Sequence, residues 1–159
     1  MDNSKVQEDF LLAMRGITST VNVISAKLNG ERHAMTATSV ASLSLSPPAM
    51  IICVNKEASI HNVINEKTKF CINVLSNKQK RLSEICSNSE EGESRFSDEG
   101  WVDDEELIYN FNSVSNIFCL CTKLVDHSTH SVFFGEVTKV NNNNQNKALL
   151  YASGEYLVE

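Results

Sequence analysis

Apolar residues along this chain recur in short runs separated by polar turns, a pattern typical of a strand-rich protein. Three stretches have the spacing of short helices instead: Val6–Arg15, Ser59–Asn65 and Asn77–Cys86. The predicted strands are, in order, Val21–Lys27, Arg32–Leu45, Ala49–Val54, Phe70–Leu75, Asn116–Leu124, Ser131–Val140 and a strand or hairpin over Ala148–Val158. Because the strands outnumber the helices and the helices are short, we predict a mainly β protein built as an antiparallel barrel.

The stretch from Met35 to Pro48, MTATSVASLSLSPP, holds no charge, no aromatic ring and no side chain larger than Leu or Met. On a strand, successive side chains point to opposite faces, so one face would carry Thr and Ser and the other mainly Ala and Leu. Such short side chains let a flat ligand approach the backbone while hydroxyls still offer hydrogen bonds. The alternative, which this stretch alone leaves open, is a small-residue strand packed beneath another element of the protein.

A second candidate site follows the apolar run Ala49–Val54 directly. The sequence NKEAS brings the amide of Asn55, the ammonium of Lys56 and the hydroxyl of Ser59 to one strand end. We expect Ser59 to cap the next helix, whose N-terminal N–H groups favour an anion. This pattern indicates a phosphate site without a glycine-rich loop, and a surface turn with a capped helix is the alternative.

Two histidines, His127 and His130, precede the predicted strand Ser131–Val140. With Asp126 they offer too few ligands for a metal ion, and no partner cluster occurs elsewhere, so we predict no metal site. His130 could instead reach a bound substrate, with an exposed loop histidine as the alternative. The chain shows no arrangement that supports a Ser-His-Asp triad.

Composition and charge limit the class of protein. The length of 159 residues predicts a single domain, residues 1–159, and the net charge of −6 argues against a nucleic-acid partner. Nine of the 20 acids lie in Ser89–Glu106, which we interpret as a solvated face. The five cysteines contain no CxxC pair, which favours a reducing compartment. With no signal peptide and no apolar run long enough for a membrane, we predict a cytoplasmic protein.

Several segments in their order and spacing resemble the flavin reductase-like family, especially the small reductase components of two-component flavin-dependent monooxygenases. The resemblance covers about Phe10 to Tyr156 and rests on FLLAMRGITSTVNVIS, RHAMTATSVASLSLSPPAMIICVNKEASIH, FCINVLS, Arg95-Phe96 before Trp101, His130–Val137 and LLYASGEY. It implies an FMN-binding split barrel, an antiparallel Greek-key barrel with a few short helices. It also implies a homodimer that holds FMN or FAD non-covalently.

The resemblance places each ligand against particular residues. The implied flavin contacts are Thr36, Ala37, Thr38 and Ser39 at the ring edge, Ser42, Leu43 and Ser44 toward the ribityl chain and phosphate, Asn55, Lys56 and Ser59 at the phosphate, and Cys86 and Ser87 at the distal part. His130 would lie by the nicotinamide as the catalytic residue, with Tyr156 close to it. The chain departs from the family where Ser128-Thr129 replace a common Gly-Asp and Lys56 replaces a common Arg.

The implied activity is that of an NAD(P)H:flavin oxidoreductase, in which NADH or NADPH reduces bound FMN or FAD by hydride transfer. The reduced flavin would then pass to a partner monooxygenase. Such chemistry belongs to the cofactor and requires no acid–base dyad, in agreement with a sequence that shows none. One alternative is a flavin-binding carrier or interaction module without nicotinamide turnover, suggested by Ser128-Thr129. A weaker alternative is a small-residue barrel without a ligand.

Overall fold

The computed structural model describes residues 3–157, so the outermost residues of the predicted domain 1–159, and Val158 of the last predicted strand, lie outside the described part. The helices are α1 (Asn3–Arg15) and α2 (Lys80–Ser87), with 3₁₀ helices at Ser59–Asn62 and Ser89–Phe96. The strands are β1 (Ser19–Thr20), β2 (Asn22–Leu28), β3 (Glu31–Ala37), β4 (Val40–Leu45), β5 (Pro48–Asn55), β6 (Lys69–Val74), β7 (Trp101–Asp103), β8 (Ile108–Asn110), β9 (Ser115–His127), β10 (His130–Asn142), β11 (Leu150–Ala152) and β12 (Glu155–Leu157).

One antiparallel sheet of seven strands, in the order β3-β2-β6-β9-β10-β5-β4, forms the body of the protein. Its two edge strands, β3 and β4, are consecutive in the chain and separated only by Thr38 and Ser39. Because the three Cα–Cα steps from Ala37 to Val40 span only about 10 Å, the sheet must curve until its two edges lie near each other. No strand pairing joins β3 to β4 among residues 3–157, so the closed sheet is a split barrel, as predicted.

The break between β3 and β4 corrects the predicted single strand Arg32–Leu45. The backbone N–H of Val40 donates to the carbonyl of Thr38 at 2.9 Å, and the N–H of Cys53 donates to the carbonyl of Ser39 at 3.0 Å. These bonds turn the chain from one sheet edge onto the other. The alternation of hydroxyls and methyls runs through this turn without a Gly or Pro to mark it, which explains why the sequence pattern predicted one strand.

The core has two parts, one inside the barrel and one on the outside of the sheet under α2. The barrel interior includes Ile24, Ile52, Ile60, Phe70, Cys119 and Phe133. The second cluster includes Val21, Leu75, Leu82, Cys86, Ile108 and Leu149. Gly135 belongs to the barrel wall, where a Cβ would stand 2.6 Å from Cζ of Phe70, so only glycine fits there.

Two small sheets complete the fold. The β7–β8 hairpin, which the sequence did not predict, lies within the acidic region, and β1, β11 and β12 form a three-stranded sheet. The predicted C-terminal hairpin is thereby confirmed for its described part. No helix within residues 3–157 is both long enough and apolar enough to cross a membrane.

Candidate functional site

Three neighbouring cavities share lining residues and form one trough beside the link between β3 and β4. The first, about 410 Å³, lies between the end of α1, Thr38 and the β11–β12 turn. The second, about 360 Å³, shares Thr38, Tyr151 and Gly154 with it. The third, about 390 Å³, shares Thr36 and Ser87 with the second. Each volume is within the range of small-molecule sites.

Most of the predicted site residues line this trough. The nine that do are Thr36, Ala37, Thr38, Ser39, Asn55, Ser59, Cys86, Ser87 and Tyr156. The five that lie outside its three lining sets are Ser42, Leu43, Ser44, Lys56 and His130. The structure therefore brings together residues from β3, the β3–β4 link, the end of β5, α2 and β12.

Ser83 on α2 holds two walls of the trough in place. Its backbone carbonyl accepts a hydrogen bond from the hydroxyl of Thr36 at 2.6 Å, and its own hydroxyl lies 2.8 Å from that of Tyr156. Tyr156 also packs edge-on against Tyr151, with ring centroids 5.2 Å apart. Neither Ser83 nor Tyr151 was predicted as a site residue from the sequence. A buried serine on the inner side of an amphipathic helix was the available signal for Ser83.

The middle of the trough is neutral and small. The side chain of Ala37 is buried in the barrel core, so Ala37 lines the trough mainly with its backbone. Its carbonyl accepts a hydrogen bond from Nδ2 of Asn22 at 3.3 Å. Thr38 and Ser39 are exposed, and among residues 3–157 their hydroxyls have no hydrogen-bond partner. They can donate to a ligand, whereas the Thr36 proton is already committed to Ser83.

The segment after β5 differs from its prediction. The helix that begins at Ser59 is a four-residue 3₁₀ turn with Ala58 at its N-cap position and no side-chain cap. Ser59 as an N-cap is therefore wrong, and so short a turn has little dipole to attract an anion. Asn55 accepts a bond from the N–H of Glu57 at 2.9 Å and thereby shapes the turn. Ser59 lines the third cavity as a hydroxyl alone.

Lys56 lies outside the trough, at one end of a series of polar side-chain contacts. Its Nζ lies 3.7 Å from Oδ2 of Asp126, whose Oδ1 accepts a bond from the hydroxyl of Ser131 at 2.6 Å. That hydroxyl lies 2.7 Å from Nε2 of His61. The Ser131 bond, more than the nearby Lys56 charge, lowers the pKa of Asp126. Ser131 is fully buried and donates to a carboxylate, so this Ser-His-Asp cluster offers no nucleophile.

His130 lies at the start of β10, opposite Asn55 of β5 in the register. The hydroxyl of Thr129 lies 2.8 Å from its Nδ1, which leaves Nε2 for a ligand. The N–H of Lys56 donates to the carbonyl of Thr129 at 2.9 Å. The Asn55–Lys56 turn and the His130 hairpin are thus adjacent, although the sequence analysis treated them as separate sites. His130 and Tyr156, which the resemblance placed close together, do not line a common cavity of the trough.

Two features limit the chemistry of the site. Burial raises the pKa of the Cys86 thiol to about 12, so Cys86 stays protonated and serves as wall rather than nucleophile. Within residues 3–157, no group of three or more His, Cys, Asp or Glu is arranged to hold a metal ion. The middle of the trough, between its neutral small-residue walls, is suited to binding and positioning a flat molecule.

Comparison with known proteins identifies the family to which the chain is similar. Residues 14–158 match the model of the flavin reductase like domain. The chain is 31% identical over 154 residues to the reductase component of the FADH(2)-dependent resorcinol hydroxylase of Rhizobium sp. strain MTP-10005, with 95% of this chain and 86% of the relative covered. It is 28% identical over 153 residues to the FMN reductase (NADH) RutF of Pseudomonas syringae, with 91% and 82% covered.

Solved structures agree with this. The flavin reductase PheA2 in its native state superposes with a TM-score of 0.86 at 29% identity, with 100% of this chain and 99% of that one covered. The NADH:FAD oxidoreductase SgcE6 of Streptomyces globisporus C-1027, solved with NAD and FAD fragments, has a TM-score of 0.88 at 24% identity, with 99% and 94% covered. The second likeness concerns the fold. With the split barrel, the trough and the match over residues 14–158, the chain belongs to the flavin reductase like domain family.

Proposed function

We propose that this protein is an NAD(P)H-dependent flavin reductase that supplies reduced FMN or FAD to a partner oxygenase. The observation that carries the proposal is the continuous trough along the β3–β4 link, with nine residues implied by the family resemblance in its walls. Relatives named as an NADH-dependent FMN reductase and as the reductase component of a hydroxylase support it.

The residues present fit a flavin. Thr38 and Ser39 offer hydroxyls without a partner among the described residues, as the edge of an isoalloxazine ring requires, and the small side chains leave space for a second ring to stack. A bound flavin supplies the redox chemistry, the acceptance of a hydride from a reduced nicotinamide.

The chain itself contributes positioning. Ser83 fixes Thr36 and Tyr156, so the wall beside Thr38 keeps its shape before the ligand arrives. In the proposal, the free Nε2 of His130 contacts the nicotinamide, and Lys56 adds positive charge near the Asn55 turn. Ser42, Leu43 and Ser44 lie on β4 beyond the trough, and the proposal does not depend on them.

We further propose a homodimer, a cytoplasmic location and a single flavin reductase domain spanning residues 1–159. The homodimer is supported by α1, which has no buried residue and exposes Phe10, Leu12 and Met14. The five free cysteines support a reducing compartment. The match over residues 14–158 supports a single domain.

The test is an assay of nicotinamide oxidation with purified protein, FMN or FAD, and NADH or NADPH. We expect at least one flavin and nicotinamide pair to be turned over far faster than in a control without protein. Anaerobic assays, in which the flavin absorbance is bleached, separate flavin reduction from direct reaction with oxygen. Flavin binding without oxidation of either nicotinamide would contradict the reductase proposal and favour a flavin carrier. If neither FMN nor FAD binds, both the reductase and the carrier proposals are wrong.

A further inference from the structure

Arg95 carries a buried charge that no acid within residues 3–157 neutralises. Its side chain belongs to a residue only 6% exposed, and it lines the third cavity of the trough. Nη1 donates to the carbonyl of Ala34 at 2.8 Å and Nη2 to the carbonyl of Asn88 at 2.9 Å. Nε is buried and has no partner in the described part of the chain. A buried guanidinium that meets only neutral carbonyls keeps a full positive charge in a poorly solvated place.

The surroundings make this unpaired state unusual. Arg95 lies within the most acidic stretch of the chain, yet no carboxylate of residues 3–157 lies within ion-pair distance of it. Asp98, three residues further on, instead pairs with Arg81 at 3.3 Å. Glu93, in the same acidic stretch, pairs with Arg32 of β3. Acids are therefore available, but the fold pairs them with other bases and leaves Arg95, in the lining of the third cavity, without a carboxylate partner among the described residues.

The cavity beside Arg95 has further groups suited to a phosphate. Ser59, Ser89 and Asn55 line it with hydroxyl and amide groups. Glu57 also lines it, but Glu57 is exposed, so water and salt screen its charge more than that of the buried guanidinium. Lys56, the cation that the sequence pattern favoured, lies against Asp126 and outside the lining set.

We propose that Arg95 supplies the positive charge that recognises the phosphate end of the flavin. This rests on the proposed flavin reductase function and extends it to a residue outside the predicted site. The ring would lie along Thr36 to Ser39, and the tail would extend past Ser87 into the third cavity. Each Nη that donates to a carbonyl keeps a second N–H, so the guanidinium can still donate to phosphate oxygens while the carbonyls of Ala34 and Asn88 hold it in place.

The test compares riboflavin, which lacks the phosphate, with FMN and FAD. Dissociation constants come from quenching of flavin fluorescence in wild type and in Arg95→Met, which keeps the length of the side chain and removes its charge. We expect FMN and FAD to bind about tenfold or more weakly to Arg95→Met, the usual cost of losing a charged hydrogen bond, with riboflavin changed by less than about twofold. Arg81→Met, which removes an exposed and ion-paired cation, is the matched control and leaves all three constants unchanged.

The outcomes separate this inference from the function it rests on. Equal weakening of all three flavins, or no weakening, means that Arg95 is only structural and overturns the inference, while the reductase stands. Failure of wild type to bind any flavin overturns the function itself. If Arg95→Met does not fold, the test is instead how strongly inorganic pyrophosphate competes with FMN for binding, measured in wild type and in Arg95→Lys. Weaker competition in Arg95→Lys supports the inference, and an unchanged competition constant overturns it.

Discussion

At the scale of single residues, the hairpin before β10 shows how a departure from the family pattern can be accommodated. Ser128 has a φ of 51°, the left-handed region where glycine is least strained, which accounts for the glycine common at this position in the family. Thr129 stands in place of the common aspartate, and its hydroxyl lies 2.8 Å from Nδ1 of His130. The orientation of the imidazole is therefore maintained by a neutral partner, so the departure does not by itself argue for a carrier without turnover.

Replacing His130 by Ala tests this orientation. We expect kcat/KM for the nicotinamide to fall about tenfold, the effect of losing one oriented contact worth about 1.4 kcal/mol in the transition state. Flavin affinity and the thermal unfolding midpoint should stay close to wild type, because His130 is exposed. His127→Ala is the matched control, since His127 pairs with His130 across the same hairpin. Equal activity of both variants and wild type would remove His130 from the site.

Other residue roles depended on tertiary contacts that no local pattern encodes. The sequence indicated Thr36 and Tyr156 through their family motifs, but their common partner, Ser83, lies 47 and 73 positions away in the chain. Arg95 was noted only as part of a motif, because a sequence does not reveal which cations are buried. Lys56 was predicted from its neighbours, and its ion pair with Asp126 arises only when β10 pairs with both β5 and β9, the strand that carries Asp126.

At the scale of elements, hydrophobic periodicity predicted the long strands and both α-helices well. It was wrong for Arg32–Leu45, where the chain changes sheet edge at two small polar residues, and it missed β1, β7 and β8, which have two or three residues each. Strands this short hold too few positions to show alternation, and their pairing depends on neighbours distant in sequence. Although Ala49–Val54 is an unbroken apolar run, in β5 only Ile52 and Val54 are buried.

Helix α1 has an apolar face that nothing in the described chain covers. On this face Phe10 is 63% exposed and Leu11 53%, and Ile17, just after the helix, is 64% exposed. Leaving such a face in water forfeits the burial that normally stabilises an amphipathic helix. Its end lines the first cavity of the trough through Leu11 and Met14, so a partner on this face would also border the flavin site.

Phe10→Asp is therefore expected to shift a dimer to monomers. Sedimentation velocity at micromolar concentration should give about twice the chain mass of 17.7 kDa for wild type and a single chain for the variant. Glu8→Gln, on the same helix, serves as the control because Glu8 is exposed and polar and should leave the dimer intact. A wild-type protein that sediments as a single chain would contradict the homodimer.

At the scale of the whole molecule, ion pairs hold the acidic segment Ser89–Glu106 against the sheet and α2. The sequence suggested a solvated face, but several of its acids form ion pairs with bases from other elements. These pairs are Arg32–Glu93, Lys27–Asp103, Lys69–Glu106 and Arg81–Asp98. Each exposed pair contributes little alone, but four along one segment favour a single arrangement of the wall that contains Arg95.

Buried cysteines lie in both parts of the core. Cys119 and Cys121 lie in the barrel interior, and Cys86 lies in the cluster under α2. Burial raises the pKa of Cys119 to about 12, as it does for Cys86, and raises that of Cys71 well above its usual value. Because only the thiolate attacks a disulfide reagent, these groups are protected both by low accessibility and by protonation. Cys53 on β5 is partly exposed, so a reagent can reach its thiol.

Titration with a chromogenic disulfide reagent at pH 8 should therefore count no more than one fast thiol per native chain and five in guanidinium chloride. Cys53→Ser should abolish the fast reaction and leave the slow one, whose rate then reports opening of the two core clusters. If both clusters open together, the remaining thiols react in one phase at the rate of global unfolding, whereas separate phases would mean that α2 detaches first. Two or more fast thiols in the native protein would contradict the packing of the barrel described above.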